Sequence, residues 1–357
     1  MSRTRLVVLF GGRSAEHEVS CESAMHVLKA IDRERYDVVP IGIARDGRWL
    51  PAGDIAALPA GARALPSPDA LGGEELDPLP AVTAEADGPT VVFPILHGPM
   101  GEDGTVQGLL ELAGVPYVGA GVLASAACMD KGLAKDVLAA HGLPQVAWRT
   151  LRDVEAGRAG ALGAAAEALG YPVFVKPANL GSSVGIARAG SLEELEAAVA
   201  VALRYDEYVV LEEALHRPRE IELAVLGNAE PRVSVPGEIV PSHDFYDFED
   251  KYVDGAAALR IPAALSVEQV EEAQALAGAA YRALRVDGLA RVDLFLVDDT
   301  RFLVNELNTL PGFTAISMYP KLWEASGLGY GALVDELVRL ALERHARRSG
   351  FGTDRGA

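Results

Sequence analysis

Short runs of β-branched and aliphatic residues alternate with helical patterns over the first hundred residues, and this alternation restricts the fold more than any other feature. The runs cover 5–10, 36–43 and 91–95. Strands that alternate with helices are typical of a parallel sheet with helices on its faces. The sequence therefore predicts a Rossmann-like α/β domain over 1–125, with a surface insertion of little regular structure over 51–88.

The pattern changes after residue 125. We predict a strand pair over 171–176 and 184–188, helices that begin with capping boxes at Ser191 and Ser266, and a last helix ending near His345. Further strands, which favour an antiparallel or mixed sheet, are predicted over 219–227, 231–240, 257–261, 288–297 and 301–306. The predicted division is a central α+β domain over 126–215, a C-terminal α+β domain over 216–348 and a frayed tail over 349–357.

The charge of the chain argues against one class of function. The 357 residues include 51 acidic and 32 basic side chains, for a net charge of −19. Proteins that bind along a nucleic-acid backbone usually carry a basic patch, so we expect no nucleic-acid partner. The apolar run at 6–10 is too short for a secretory signal, and no run is long enough to span a membrane. We expect a soluble, cytoplasmic protein.

Two glycine-rich stretches in the N-terminal half of the chain are weak indicators of function. Gly11 and Gly12 follow a predicted strand, where they permit either an anion-binding loop or an ordinary tight turn. Glu16 follows within one turn and favours an ammonium group over a phosphate. The stretch 119–124 matches the dinucleotide fingerprint G-x-G-x-x-A, but no acidic residue follows at the required distance, so a structural turn is the better interpretation.

A third stretch, 176–185, is a stronger candidate. Lys176 ends a predicted strand, and Gly181, Ser182 and Ser183 lie in the turn that follows. The backbone N–H groups and hydroxyls of such a turn can bind phosphates while the lysine supplies a positive charge. An ordinary hairpin is the alternative, but a lysine flanked by apolar residues favours phosphate binding.

Hard oxygen donors cluster on two neighbouring predicted strands. Because side chains alternate along a strand, Asp293 shares one face with Arg291, and Glu306 shares one face with Asn308. Carboxylate and amide oxygens suit Mg²⁺, and a carboxylate shared by two ions is a common way to neutralise a triphosphate.

Two groups near these donors are suited to stabilise a reacting oxygen. Arg291 could stabilise an oxyanion near the metals. Gly312 follows the second strand and lets a backbone N–H approach a reacting group, and the next segment is predicted to begin a helix whose N-terminus favours an anion.

Taken together, these motifs resemble the D-alanine–D-alanine ligase family of the ATP-grasp superfamily. The matching blocks, in chain order, are 11–20, 97–104, 117–131, 176–185, 212–213, 219–222, 245–252 and 288–317. The resemblance covers nearly the whole chain and implies an ATP-grasp fold, in which the two α+β domains hold ATP between them. It also implies ATP-dependent joining of two D-alanine molecules through a D-alanyl phosphate, for peptidoglycan precursor synthesis. The implied cofactors and partners are ATP, two Mg²⁺ with Mn²⁺ as a substitute, D-alanine and a second copy of the chain.

The resemblance further implies roles for individual residues. The implied ATP-binding residues are Lys131, Lys176, Ser182, Ser183, Glu212, Glu213, Leu215, Glu220, Lys251, Asn305 and Glu306. Asp293 and Glu306 would bind one Mg²⁺, and Glu306 and Asn308 the second. The implied substrate-binding residues are Glu16, His97, Lys251, Arg291, Gly312 and Ser317, and the implied catalytic residues are Glu16, Ser182, Tyr252, Arg291, Gly312 and Ser317. Glu16, Ser182 and Tyr252 would form a hydrogen-bonded triad that orders a lid loop over 242–255.

Three other functions remain open from the sequence. A ligase that joins D-alanine to D-lactate is the nearest, although similar ligases of that type carry a histidine in place of the Lys251–Tyr252 pair in their lid. A nicotinamide-dependent oxidoreductase rests only on the two glycine loops. A non-catalytic nucleotide-binding regulator would share the nucleotide site without turnover.

Overall fold

The N-terminal sheet is largely parallel, as the alternating pattern predicts. The computed structural model describes residues 3–53, 62–182, 184–240 and 258–352. The first four strands are β1 (Thr4–Gly11), β2 (Tyr36–Ile43), β3 (Trp49–Pro51) and β4 (Thr90–Leu96). They are ordered β3-β2-β1-β4, with β1 parallel to both β2 and β4. The edge strand β3 pairs antiparallel to β2 and has no predicted counterpart.

The helices of the described residues lie mostly where the helical patterns predict them. They are α1 (His17–Ala30), α2 (Pro78–Thr83), α3 (Thr105–Ala113), α4 (Val122–Met129), α5 (Lys131–Ala140), α6 (Asp153–Ala156), α7 (Ala161–Leu169), α8 (Leu192–Ala202), α9 (Val267–Ala283), α10 (Met318–Ala325) and α11 (Tyr330–Ser349). The last helix extends four residues beyond its predicted end at His345. None of the helices within the described ranges is long and apolar enough to cross a membrane.

The described part of the insertion contains two short helical elements that the sequence does not predict individually. A 3₁₀ turn covers Pro68–Ala70, and α2 lies further along the same segment. Ser67 and Asp77 accept hydrogen bonds from backbone N–H groups at the starts of these elements, and each is followed directly by a proline. A capping side chain before a proline is a helix-start signal, and it accounts for these two short elements in a segment rich in glycine and proline.

The central sheet is antiparallel. Its strands are β5 (Trp148–Arg152), β6 (Val173–Pro177), β7 (Ala187–Ala189) and β8 (Tyr208–Glu213), in the order β5-β8-β6-β7. The strand β7 begins three residues later than predicted, so the turn after Lys176 is longer. At the start of α8, the Ser191 side chain accepts from the Glu194 N–H, but the Glu194 carboxylate accepts from the Gly190 N–H, so the predicted capping box is only half formed.

The C-terminal sheet is antiparallel throughout. Its strands are β9 (Arg219–Gly227), β10 (Arg232–Val233), β11 (Gly237–Val240), β12 (Ala258–Arg260), β13 (Gly288–Val297) and β14 (Arg301–Asn308). The order is β12-β11-β9-β13-β14, and β10 pairs with β9. The predicted strand over 231–240 is therefore two strands. Ser266 and Gln269 complete the predicted capping box that begins α9.

A shared apolar core joins the N-terminal sheet to the C-terminal helices. The Phe313 ring lies 6.1 Å from Phe93 of β4 and 5.5 Å from Tyr319 of α10, measured between ring centroids. The Tyr330 hydroxyl donates to the Phe313 carbonyl at 2.6 Å. These contacts hold the loop after β14 against the first sheet, which places the backbone around Gly312 beside residues from the N-terminal part of the chain.

Candidate active site

All of the predicted site residues that the structure describes line two adjoining cavities. The larger has a volume of about 490 Å³ and lies between the N-terminal sheet and the C-terminal sheet, and the smaller, of about 210 Å³, lies between the central and C-terminal sheets. We call them the large cavity and the small cavity. The residues that line both are Lys131, Leu180, Gly181, Ser182, Glu222, Arg291 and Glu306. The two cavities therefore meet around Arg291 and Glu306.

Glu16 lies in the large cavity, between the N-terminal sheet and the loop after β6. The Ser182 hydroxyl donates a short hydrogen bond to Glu16 Oε1, and Ser182 adopts a left-handed backbone conformation with φ of 53°. A Cβ atom on Gly98 or on Gly181 would lie 3.2 Å from Glu16 Oε2. Since Gly98 also has a φ of 76°, glycine is required there, and it leaves room for the carboxylate.

His97 forms a buried polar network with two segments on either side of it. Its Nδ1 lies 3.0 Å from the Leu310 carbonyl and its Nε2 lies 3.1 Å from Ser23 Oγ, which also accepts from the Phe313 N–H. Glu102 Oε1 lies 3.7 Å from His97 Nδ1. Burial acts to lower the pKa of His97, but the neighbouring Glu102 outweighs it and raises that pKa, while burial raises the pKa of Glu102.

The acidic strand residues face each other across β13 and β14. In the antiparallel register, Asp293 lies opposite Glu306 and Arg291 lies opposite Asn308. A register shift between Asp293 and Leu294 follows this pair, so Asn305 lines the small cavity as well. The alternation predicted from the sequence thus brings two carboxylates and an amide to one place.

Arg291 is held by two buried carboxylates. Its Nε and Nη2 donate to the two oxygens of Asp293, each at 2.7 Å, and its Nε lies 3.2 Å from Glu222 Oε2. Burial acts to lower the pKa of Arg291, but Asp293 and Glu222 raise it well above its usual value. The guanidinium is a fixed, charged group at the junction of the two cavities.

The acidic set is suited to Mg²⁺. Carboxylate oxygens have several lone pairs, so Asp293 can ligate a metal while it accepts from Arg291. Asn305 Oδ1 is buried and has no hydrogen-bond partner within the described part of the chain. No group of three His, Cys, Asp or Glu side chains in that part forms a metal site alone. An ion here would therefore complete its shell with the Asn308 amide, substrate oxygens and water, as Mg²⁺ does.

The loop after β14 places two further predicted residues in the large cavity. Ser317 is the N-cap of α10, as the predicted helix start requires, and its Oγ accepts from the Thr314 N–H at 2.9 Å. A Cβ on Gly312 would lie 2.8 Å from Ser317 Oγ. Any larger residue at 312 would displace this hydroxyl, so glycine keeps the two backbone segments close.

Three lysines and Glu212 lie near the small cavity. Lys131 and Lys176 line it, and the Lys131 ammonium also donates to the Leu180 carbonyl. Glu212 forms ion pairs with two of these lysines: its Oε2 lies 2.7 Å from Lys176 Nζ, and its Oε1 lies 3.0 Å from Lys135 Nζ. Burial acts to raise the pKa of Glu212, but Lys176 and Lys135 together lower it to about 2.

The remaining predicted nucleotide residues line the small cavity. Glu213 and Leu215 lie at and just beyond the end of β8, and Glu220 lies on β9 opposite Phe295. Ser183, Lys251, Tyr252 and the predicted lid loop over 242–255 lie outside the described residues.

Several site residues have no counterpart in the prediction. Glu102 follows His97 by five positions within a matched block, and Glu222 follows Glu220 by two positions on one strand, which places both on the same face. Lys135 follows Lys131 by four positions, which is one helical turn. Each spacing was visible in the sequence, but only the packed structure shows which of these side chains meet.

The small cavity is lined by lysines and carboxylates and lies between two antiparallel sheets, each with its own helices. A largely parallel α/β domain adjoins them. This arrangement is typical of the ATP-grasp class of proteins. Comparison with known sequences identifies the family. The family profile described as D-ala D-ala ligase N-terminus matches residues 5–120, and that described as D-ala D-ala ligase C-terminus matches 137–339. The chain belongs to the D-alanine–D-alanine ligase family.

Individual relatives agree with this assignment over their full length. The chain is 51% identical to the D-alanine–D-alanine ligase of Deinococcus radiodurans, covering 96% of this chain and 99% of that one. It is 47% identical to the ligase of Bacillus cytotoxicus, covering 98% of each chain.

Solved structures show the same fold. The D-alanine–D-alanine ligase from Coxiella burnetii has a TM-score of 0.82 and 37% identity, over 97% of both chains. The VanG D-Ala:D-Ser ligase from Enterococcus faecalis has a TM-score of 0.81 and 33% identity, over 95% of this chain and 99% of that one. The ATP-grasp fold expected from the sequence is confirmed.

Proposed function

We propose that this chain is a ligase that joins two D-alanine molecules by a peptide bond, converts ATP to ADP and phosphate, and supplies D-alanyl-D-alanine for peptidoglycan synthesis. The observation that carries this proposal is the junction of the two cavities at Arg291 and Glu306. A carboxylate in the large cavity can meet a terminal phosphate in the small one there. Bringing the reacting groups together in this way removes much of the entropic barrier.

In the first step, a carboxylate oxygen of one D-alanine attacks the γ-phosphorus of ATP and ADP leaves, which yields D-alanyl phosphate. Glu16 holds the ammonium of this D-alanine, a role supported by its position in the large cavity and its hydrogen bond from Ser182. His97 supports the same substrate from the adjacent wall of that cavity.

In the second step, the amine of the other D-alanine attacks the acyl carbon, loses a proton, and phosphate leaves. The oxygen becomes negative in the tetrahedral intermediate. Arg291 and the Gly312 N–H stabilise this oxyanion, and Ser317 with Lys251 anchors the carboxylate of the second substrate. Preorganised donors of this kind are usually the largest single contribution to catalysis, and the rigid pairing of Arg291 supports the role.

The nucleotide is held from several sides of the small cavity. Lys131, Lys176 and Ser182, which line that cavity, contact its phosphates. Ser183, the next residue along the chain, is proposed for the same role on the family resemblance alone. Backbone groups of the segment from Glu212 through Glu213 to Leu215 surround the adenine, and Glu220 accepts from the ribose hydroxyls. Asn305 and Lys251 complete the ATP-binding set.

Two Mg²⁺ ions, for which Mn²⁺ can substitute, are proposed at the junction. Asp293 and Glu306 hold one, and Glu306 and Asn308 hold the other. When bound, the ions neutralise the triphosphate and the phosphoryl group in transfer. The opposed register of Asp293 and Glu306 supports this assignment.

The family resemblance implies a lid over the junction of the two cavities. We propose that the loop over 242–255 closes on the site, with Tyr252 completing a hydrogen-bonded triad with Glu16 and Ser182. Closure protects the acyl phosphate from water. The hydrogen bond between Glu16 and Ser182 supports the two members of the triad that lie within the described residues.

The larger organisation of the enzyme is part of the proposal. We propose the three-domain division at residues 125 and 215, a cytoplasmic location because the reaction consumes ATP, and a homodimer. Large apolar side chains exposed on neighbouring helices support an interface between copies, among them Leu112, Leu123 and Leu133. Sedimentation of the purified chain over a range of concentrations distinguishes monomer from dimer.

A coupled assay for ADP release tests the activity. We expect release that depends on Mg²⁺ and on D-alanine and is absent with L-alanine. Release that does not depend on D-alanine would contradict the proposal and favour a regulator or another ligase. Stabilisation against heat by NADH but not by Mg-ATP would favour the oxidoreductase.

The depsipeptide alternative is tested by the product. The relatives at 47–51% identity are D-alanine–D-alanine ligases by name, so joining to D-lactate is not favoured. With D-alanine and excess D-lactate near neutral pH, we expect mainly the dipeptide by mass spectrometry. Mainly depsipeptide would overturn the choice of second substrate.

A further inference from the structure

Lys135 is a buried lysine that is not among the described residues lining the small cavity. It is 2% exposed, and lysine is almost never this buried without a partner. Its Nζ lies 3.0 Å from Glu212 Oε1 and 5.8 Å from the centroid of the Trp148 ring. It therefore lies behind the Glu212 carboxylate, on the side away from the cavity.

The position of Lys135 follows from how α5 packs on the central sheet. Lys131 and Lys135 are one turn apart on the same face of that helix. Lys131 lines the small cavity, and Lys135, one turn further along the helix, contacts Glu212. A Cβ on Gly132 would lie 2.7 Å from Thr150 Oγ1 of β5. Glycine at 132 allows the helix to approach the strand closely enough for Lys135 to reach Glu212.

Glu212 is shared by two ammonium groups. Lys176 approaches its Oε2 at 2.7 Å from the cavity side, and Lys135 approaches its Oε1 from behind. Two ammoniums and one carboxylate leave one net positive charge. Burial lowers the pKa of Lys135, but the pKa of Lys176 is raised, since the nearby carboxylates, Glu212 foremost, outweigh its burial. Without Lys135, Lys176 and Glu212 would form a neutral pair.

We propose that Lys135 is a positioning residue for the nucleotide phosphates: it neutralises Glu212 from behind, so that Lys176 presents a full positive charge to the small cavity. The proposal rests on ATP being the ligand of that cavity. Charges a few ångströms apart interact strongly in a poorly solvated site, so a neutral Lys176–Glu212 pair would attract phosphate much less.

The test compares nucleotide binding to four variants and to the unmodified chain by calorimetry. Lys135→Met removes the charge and keeps the length of the side chain, Lys135→Arg keeps the charge, and Lys135→Met combined with Glu212→Gln restores the local charge balance. Lys29→Met is the matched control, because Lys29 is a surface lysine on α1 that donates to the Ala62 carbonyl. Circular dichroism and thermal melting report whether each variant folds.

We expect Lys135→Met to weaken ATP binding about tenfold and to change adenosine binding less than about twofold, because adenosine has no phosphate. Lys135→Arg and the Lys29 control should bind ATP within about threefold of the unmodified chain, and the double variant should bind ATP at least about threefold more tightly than Lys135→Met does. KM for ATP should rise in Lys135→Met while kcat changes little.

Three results would overturn the role of Lys135. These are unchanged ATP binding in Lys135→Met, equal losses of ATP and adenosine binding, and failure of the double variant to recover ATP binding. If Lys135→Met does not fold, loss of ATP binding in the folded double variant overturns the role. If the unmodified chain itself does not bind ATP, the proposed function fails instead, so the two failures are distinguishable.

Discussion

Replacing Arg291 by lysine keeps one positive charge at the junction of the cavities but removes the planar guanidinium. Arginine donates from Nε and Nη2 to both oxygens of Asp293 at 2.7 Å, and its Nε also lies 3.2 Å from Glu222. A lysine ammonium is a compact point charge that cannot reproduce this paired geometry. The charge at the proposed oxyanion site would therefore be present but misplaced.

The size of the effect follows from the hydrogen bonds that a lysine at this position cannot form. A hydrogen bond to a charged group contributes about 1.5–3 kcal/mol, and Arg291→Lys removes one or two of them. If about 2–4 kcal/mol of this stabilises the transition state, turnover falls about 30- to 1000-fold. ATP affinity should change less than about threefold, since Lys131 and Lys176 remain.

The assay measures D-alanine-dependent ADP release and, separately, ATP binding by calorimetry. Arg301→Lys is the matched control, because Arg301 is an exposed arginine at the start of β14, far along the same strand pair. Equilibrium denaturation shows whether Arg291→Lys still folds. Turnover within about threefold of the unmodified enzyme, in a folded variant, would refute the reasoning that the paired geometry of Arg291 is used in catalysis.

Three further predictions concern neighbouring groups. Ser182→Ala removes the hydrogen bond to Glu16, so kcat/KM for D-alanine should fall about ten- to a hundredfold in the ADP-release assay, and an unchanged value would contradict the role of that bond. Glu306→Gln should lower turnover more than about a hundredfold, because metal-based charge stabilisation amounts to several kcal/mol. It should also raise the Mg²⁺ concentration needed for half-maximal activity. An unchanged Mg²⁺ titration would show that the metal assignment is wrong. The pKa of Glu212 is lowered from 4.5 to about 2, so its stabilisation is present above pH 4.5 and lost as pH falls towards 2. Glu212→Gln should therefore reduce the pH dependence of the free energy of unfolding between these pH values. An unaltered slope would contradict the lowered pKa of Glu212.

The sequence predicted the elements of this fold more accurately than their ends. The parallel strands near the N-terminus and the capping box at Ser266 were confirmed, because both depend on local patterns. The strand over 231–240 was predicted as one and is two, and no element was predicted individually for the 3₁₀ turn at Pro68–Ala70 or for the helix at Pro78–Thr83. Strand breaks depend on which neighbour is available to pair, and a short local pattern does not contain that information.

The candidate site also has a part that local sequence patterns predict and a part that they do not. Period-two alternation along a strand is enough to place Asp293 with Arg291, and Glu306 with Asn308, on shared faces. The register that sets Asp293 opposite Glu306 is a property of the assembled sheet. Glu16 and Ser182 are 166 residues apart, and no spacing rule links them; only the resemblance to a family suggested that they meet.

The sequence by itself determined the residue types and periodicities: the alternating strands and helices, the apolar faces, the hard oxygen donors and the family to which their order belongs. These are local properties, carried by neighbouring residues and by backbone preference. The tertiary structure decided that the two cavities meet at Arg291, that Asp293 and Glu222 hold its guanidinium, and that Lys135 lies behind Glu212. Such contacts join side chains from different elements, and they depend on packing distances of a few ångströms, which the order of residues along the chain does not specify.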